Sequence, residues 1–573
     1  MYGRRHRIDC FCVAVYKILN DLKMKKIILL LAILANSGSY ILSGNMTHLN
    51  ADDAIYINGV VITVNSDNPY VEAFAVINGR FAAVGTNDEI RRLAVPSTKI
   101  IDLKGMTVTP GFYDTHIHPA PLYPAGSPYY IPRLDTVQTM DDLIAELKKK
   151  ADVTPPGQLI SGRGYDSKVL GRHPNRYDLD KVSTVHPIRI NESNSSYVVN
   201  SYVIEASGIT KNTPDSINAI YRDVDGTPNG MFSWSFRGIN TGATAREERI
   251  PYEAQVEGIV NLLNEYAGRG MTSITATRGS VQLFQMFQDA RKSGNRVRIN
   301  FVYGDGLETL KDAGIKSGFG DDYMRIMGIG SSHGASFSGH TCWVSIPYEG
   351  RSDYYGVLPS RSQEELDKLV QSIHDAGLQY VTDCNGDREL EMVITAIERA
   401  QAKNPRPDPR HRIDHASLMT APLLERAKKA GIIIAFHSYI YEQCEQLEAY
   451  GDRMIHAYRT ALDMGVHIAA HSDGDFSKVC AMTRLQSVVT RKGKNGKVYG
   501  ANERISVEEA INVWTLGGAY ISFEENDKGS ITPGKLADFI VLRQDPRKVN
   551  PDTIKDIVVD ATYIGGVNVW QAQ

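Results

Sequence analysis

Near the amino end of the chain, short apolar runs alternate with turn residues. Ala54-Ile55-Tyr56-Ile57, Val60 to Val64, Ala73 to Val76 and Phe81 to Val84 are separated by Asn58-Gly59, Ser66-Asp67-Asn68-Pro69 and Asn78-Gly79. Runs this short, bounded by such turns, predict β-strands. Ala537 to Leu542 and Ala561 to Trp570 repeat the pattern at the far end. The two ends are therefore expected to build one discontinuous β-sandwich from residues 45–110 and 530–573. Between them the period changes. Leu366, Leu369, Val370 and Ile373 recur at helical spacing, as do Leu390, Val393, Ile394 and Ile397. Leu378 to Thr382, Ile432 to Phe436 and Val466 to Ala470 read as buried strands. Strand–helix alternation over this length predicts a parallel α/β core, most simply a distorted (β/α)8 barrel over residues 111–529. Residues 120–245, rich in Pro, Asn and Ser, break the rhythm and read as an insertion after the first barrel strand.

Composition adds limits. The chain has 573 residues, 42% hydrophobic and 23% charged, with a net charge of -3. That balance gives no support to a nucleic-acid or anionic-membrane partner, and a small-molecule substrate is the partner expected. A homodimer is compatible with the sequence and is not specified by it. Lys25-Lys26, the apolar stretch Ile27 to Ala35 and the small polar residues Asn36 to Ser39 have the layout of a signal peptide. Residues 1–44 are thus expected to be a leader, with 1–23 an extension ahead of a natural start at Met24. The apolar stretch is too short for a stable membrane anchor, which needs roughly 20 residues. The mature chain is expected to be exported, periplasmic or secreted. Cys342, Cys384, Cys444 and Cys480 lack C-x-x-C spacing and form neither a zinc knuckle nor a recognisable disulfide framework.

The chemistry concentrates at His116 and His118, in Gly111-Phe112-Tyr113-Asp114-Thr115-His116-Ile117-His118-Pro119. Alternate residues of a strand share a face. Met106 to Thr109 reads as the strand entering the pair, so both imidazoles are expected to project together from its end. Two convergent nitrogens suit a divalent transition metal, zinc first, with iron or manganese as alternatives. Barrels carry catalytic groups at the carboxyl ends of strands, and Asp383, His415, His437 and Asp473 each follow or close a predicted strand. A metal held by His116, His118 and Asp473 would keep a position open for water. Asp383 is a further ligand candidate, and His415 is a catalytic candidate that could ligate the metal or orient substrate. Gly330-Ser331-Ser332-His333-Gly334 fits the G-x-S-x-G pattern of a serine-hydrolase elbow, but the segment after it lacks the helical periodicity that motif requires.

Several segments together resemble a known family. Leu103 to Phe112 running into Asp114-Thr115-His116-Ile117-His118 is similar to the first barrel strand of the amidohydrolase superfamily. His411-Arg412-Ile413-Asp414-His415, His471-Ser472-Asp473 and Lys528 to Asp538 extend the match. Arg172 to Asp180 and Asn385-Gly386-Asp387-Arg388 resemble the branch that includes N-substituted formamide deformylase. The resemblance implies a metal-dependent hydrolase of an amide or related C–N bond, of N-formyl, N-acyl or cyclic amide type. It also implies that Asp473 shuttles a proton from water to the leaving group. The chain departs from the branch at three places. Gly330 stands where a metal-bridging carboxylated lysine is expected, Asp383 stands for a histidine, and Ser193-Asn194-Ser195 replaces Asp-Gly-His. One metal ion is expected in place of two. The alternative class is a non-catalytic, ligand-binding relative. His333 and His340 are candidates to replace lost groups or, with His437, to bind substrate.

Overall fold

The computed structural model describes residues 53–573 except 125, 128, 193–195, 216–218, 234, 235, 237, 241–249, 443, 445, 452 and 475–480. The expected leader and the Ser193-Asn194-Ser195 departure lie outside the described residues. Among those described, no helix is long and apolar enough to cross a membrane.

Eight parallel strands form the centre: β1 (Phe112–Ile117), β2 (Met271–Gly279), β3 (Arg298–Tyr303), β4 (Met324–Ser332), β5 (Gln379–Cys384), β6 (Arg412–His415), β7 (Ile433–His437) and β8 (Ile468–His471). Each pairs with the next in chain order, as a (β/α)8 barrel requires. The last seam, between β8 and β1, is laced by fewer bonds: Thr115 Oγ1 donates to the Ala470 carbonyl at 2.9 Å, and Asp473 N to the His116 carbonyl at 3.2 Å. The helix Gln363–Asp375 starts with a capping box between Ser362 and Glu365. The helix Asp387–Lys403 buries Leu390, Val393, Ile394 and Ile397 completely, the face that the periodicity marks.

Both chain ends meet in two sheets. One orders Arg80–Gly85, Ala73–Ile77, Ala54–Ile57 and Lys99–Asp102. The other joins the termini by pairing Phe539–Leu542 antiparallel to Thr107–Pro110. An aromatic core lies between them. Tyr56 stacks on Phe74 with centroids 4.6 Å apart, and Phe539 stacks on Tyr563 at 4.4 Å. Between β1 and β2 the chain forms a separate five-stranded sheet, Ile220–Arg222, Pro228–Ser233, Ser196–Val199, Ile188–Asn191 and Ile160–Arg163, with its own apolar core.

One expectation about the entry to the site needs correction. The strand expected over Met106 to Thr109 does not run on into the histidine pair. Thr107–Pro110 belongs to the terminal sheet, and the histidine pair is carried by β1 and the residue after it. The chain passes from one body to the other at Gly111, where a Cβ would lie 2.2 Å from the Thr272 side chain. Only glycine permits that approach. Strands β7 and β8 also end one residue later than the apolar runs do, so His437 and His471 lie within the strands, opposite each other in register.

A buried ion pair holds the terminal sheet to the barrel. Arg298 on β3 donates from Nε and Nη2 to Asp538 at 2.5 and 2.8 Å, and Asp538 also accepts from Gly565 N at 2.8 Å. Both side chains are almost fully enclosed. Removing one partner leaves the other charge buried and unpaired, which costs about 3–5 kcal/mol. Asp538→Ala is therefore expected to lower the urea midpoint of unfolding sharply. The double change Arg298→Met/Asp538→Leu should recover most of the loss. A single variant that unfolds at the parent midpoint would show that the pair does not hold the two bodies together.

Candidate metal centre

Asp114, His116 and His118 alternate along β1 and its end, so all three turn toward the barrel axis. Asp114 closes the seam: Ser472 N and Oγ donate to its two oxygens at 3.1 and 2.5 Å. Burial pushes the Asp114 carboxyl up to about 6, against the pull of those bonds. His116 is completely enclosed and donates from Nδ1 to Asp414 Oδ2 at 2.6 Å, an assignment that follows from its hydrogen-bond network. Asp414 is in turn paired with Arg412, at 2.6 Å from Nε and 2.7 Å from Nη2. Burial works against its charge, but Arg412 and His116 hold its carboxyl below the usual range.

With Nδ1 carrying the proton, Nε2 of His116 presents a lone pair. It lies 3.2 Å from His118 Nε2 and 3.5 Å from Asp473 Oδ1, while His118 Nε2 and Asp473 Oδ1 are 3.4 Å apart. A tetrahedral ion with ligand bonds of about 2.0–2.1 Å has edges of about 3.3–3.4 Å. Those three atoms have the spacing of one face of such a polyhedron. Their charge fits as well. Burial disfavours protonation of His116, yet Asp383, Asp414 and Asp473 outweigh it and raise its pKa to about 8. A place that attracts a proton into a fully buried ring is a place that attracts a cation.

The remaining sequence candidates converge in part. His415, at the end of β6, has its ring centroid 5.1 Å from His116 and 4.8 Å from His471. His437 lies 3.8 Å from Asp473 Oδ2 through Nε2 and packs against Tyr439. Asp383 Oδ1 is 3.7 Å from His116 Nδ1. Three sets of ligand-type atoms thus cluster, His116–His118–Asp473, His116–Asp383–His415 and His415–His437–His471. His333 is buried, and its N donates to the Asp383 carbonyl at 2.9 Å. His340 is held elsewhere, with Nε2 bonded to the Gln446 carbonyl and its ring against Tyr348 and Tyr450. Ser332 ends β4 and no helix follows before Gln363, so the serine elbow is not formed.

Backbone strain gathers here too. Arg278, His415, Ala416 and Asp473 adopt left-handed φ of 52, 68, 46 and 49°, each at a cost of about 1–3 kcal/mol for a residue with a side chain. All four sit at or just past the carboxyl ends of strands β2, β6 and β8. Sequence reasoning misses Asp414, Arg412, Arg278 and His471 as members of the site. A signal for the first two exists, because Arg412-Ile413-Asp414 alternates along β6 and so puts both polar side chains on one strand face. His471 likewise closes the apolar run of β8. Arg278 carries no local signal at all.

If Asp414 fixes the tautomer of His116, Asp414→Asn should weaken zinc binding about 10–100-fold, the usual cost of losing such an outer partner. Competition with a chromophoric chelator measures this, and unchanged affinity in a folded variant would remove Asp414 from that role.

Known proteins were compared with this arrangement. Residues 99–570 match the amidohydrolase family model. The protein YtcJ of Bacillus subtilis (strain 168), named as a putative amidohydrolase, is 25% identical over 535 residues, covering 90% of this chain and 99% of that protein. N-substituted formamide deformylase of Arthrobacter pascens is 25% identical over 543 residues, covering 90% and 98%. Among solved structures, an uncharacterized metal-dependent hydrolase from Pyrococcus horikoshii shares the fold with a TM-score of 0.67 at 21% identity, covering 87% of this chain and 99% of that one. The chain belongs to the amidohydrolase family.

Proposed function

We propose that this amidohydrolase-family chain is a metal-dependent hydrolase of an amide or related C–N bond, of N-formyl, N-acyl or cyclic amide type. Family membership supports the coarser reading, a metal-dependent hydrolase. The observation that carries it is the triangle of His116 Nε2, His118 Nε2 and Asp473 Oδ1 with edges of 3.2–3.5 Å. The C–N bond is favoured by the relative whose name specifies a substituted formamide. Nitrogen and carboxylate donors in this number favour zinc, with iron or manganese as alternatives.

A divalent ion bound there would supply Lewis acidity, which lowers the pKa of a water and polarises a carbonyl. The chain's own groups do the rest. Asp414 keeps His116 in one tautomer and one orientation. His437 Nε2 lies on the Oδ2 side of Asp473, and that oxygen is left to carry the proton from water to the departing nitrogen. Asp473 is ionised before that step and so is free to accept the proton. Burial opposes its charge, but His415, His118 and His116 hold its carboxyl well below the usual range. The leader layout of residues 1–44 favours an exported enzyme.

Purified chain screened against N-formyl, N-acyl and cyclic amides should hydrolyse at least one of these classes. A strong chelator should abolish turnover and added zinc restore it. His116→Ala should lose turnover while keeping the native circular dichroism spectrum, because the ring is chosen for ligation and not for packing. Turnover that survives both the chelator and the substitution would end this reading.

A further inference from the structure

Exposure sorts the groups of the metal centre into a floor and a mouth. His116, Asp414 and His471 are fully buried, His415, His437 and Tyr439 nearly so, and Asp383 is little exposed. His118, Arg278 and Asp473 keep open surface, at 40%, 35% and 33%. A molecule entering from solvent therefore meets two ligand candidates and one guanidinium.

The protein itself uses that guanidinium sparingly. Arginine carries its N–H donors in a planar fork. Here Nη2 donates to His118 Nε2 at 3.2 Å and lies 2.8 Å from Asp383 Oδ2. Among the described residues Nε and Nη1 have no protein partner. The bond to His118 cannot outlast metal ligation either, because a neutral imidazole has one lone pair and the metal takes it. The stem is nevertheless held in place. Arg278 is the penultimate residue of β2, in left-handed backbone conformation, and strain of that kind collects at ligand clamps. A Cβ on Gly330 would lie 3.1 Å from Arg278 Cγ, so the stem runs against bare backbone of β4.

Charge sets the sign of the ligand. Arginine stays charged at every ordinary pH, and a divalent ion on His118 would stand beside it. Two cations at one opening repel each other and attract an anion. The guanidinium fork matches a carboxylate in shape as well as in charge. We propose that Arg278 selects the substrate: it takes a free carboxylate close to the scissile C–N bond, so the amides this chain hydrolyses are anionic. Hydrolysis itself rests on the metal-hydrolase reading, while carboxylate recognition is a matter of binding and is tested apart from turnover.

The substrates compared are N-formyl and N-acetyl amino acids, each paired with its neutral carboxamide. Binding is read by calorimetry with the matching N-methanesulfonyl pairs, which resist hydrolysis. The zinc-loaded parent should prefer acid to carboxamide about 10–100-fold in kcat/KM and in affinity, the worth of a hydrogen bond to a charged group. Arg278→Gln and Arg278→Met should erase the preference, chiefly through the KM of the acids. Arg278→Lys, which keeps the charge without the fork, should retain part of it. Arg278→Gln also leaves Asp383 unpaired, and that carboxylate would itself repel an acid. Arg278→Gln/Asp383→Asn removes this objection and should show no preference either. Two neutral variants are used so that a folding failure of one leaves the other to decide, with circular dichroism as the check. A parent that binds acids and carboxamides alike, or hydrolyses both alike, overturns the inference. So does a folded neutral variant that keeps the parent's preference, or a double variant that regains it. If Arg278 governs the calorimetric preference while no amide of either kind is hydrolysed, the metal-hydrolase reading fails and carboxylate recognition stands.

Discussion

Asp383, Asp414 and Asp473 all surround the buried ring of His116, and negative charge gathered away from water needs cations beside it. The site is built around that constraint. Arg412 serves Asp414 from two positions along the same strand, and Arg278 serves Asp383 from across the barrel. Asp473 has no guanidinium partner among the described residues, and its ion-pair contacts are to His116, His118 and His437. Imidazoles are conditional partners, because each can give up its proton. A metal ion is the partner that satisfies Asp473 and both β1 histidines at once, which is why the proposed ion belongs at this corner of the cluster.

Closure of the barrel and assembly of the site are one event. His116 comes from β1 and Asp473 from the end of β8, the first and last strands, whose residues meet only when the seam forms. The bonds across it, from Ser472 to Asp114 and from Asp473 N to the His116 carbonyl, bracket the donor atoms themselves. The terminal sheets support the same closure from outside. Gly111 hands the chain from the sandwich to β1, and Asp538 ties the sandwich to β3. Strain at Asp473 and His415 is tolerated because contacts on both sides of the seam fix their backbones.

Much of this is legible in the chain. The barrel, the two-ended sandwich strands and the convergence of His116, His118, Asp383, His415, His437 and Asp473 follow from periodicity and from strand-end positions. Those signals are local, and the period of a strand reports which face a residue takes. What the chain hides is partnership across the barrel. Arg278 sits one residue before the end of β2, and nothing nearby in sequence marks it as the companion of Asp383, far away along the chain. His340 errs in the opposite direction, since histidine in a loop after β4 looks available but is spent on the Gln446 carbonyl. The entering strand misleads for a related reason: Thr107–Pro110 and β1 are nearly contiguous in sequence, yet the first pairs with Phe539–Leu542 and the second with β2, with Gly111 between them.

Charge balance bears on how many ions the proposed centre would hold. Asp383, Asp414 and Asp473 bring three negative charges, and Arg278 with Arg412 return two of them. One divalent ion then leaves the cluster with a single positive charge, which a hydroxide or an anionic substrate group can offset. A second divalent ion would add two more positive charges beside the buried His116, Asp414 and His415, where each uncompensated charge costs on the order of several kcal/mol. Ligand supply points the same way, because His116 belongs to two of the donor groups and its Nδ1 is committed to Asp414.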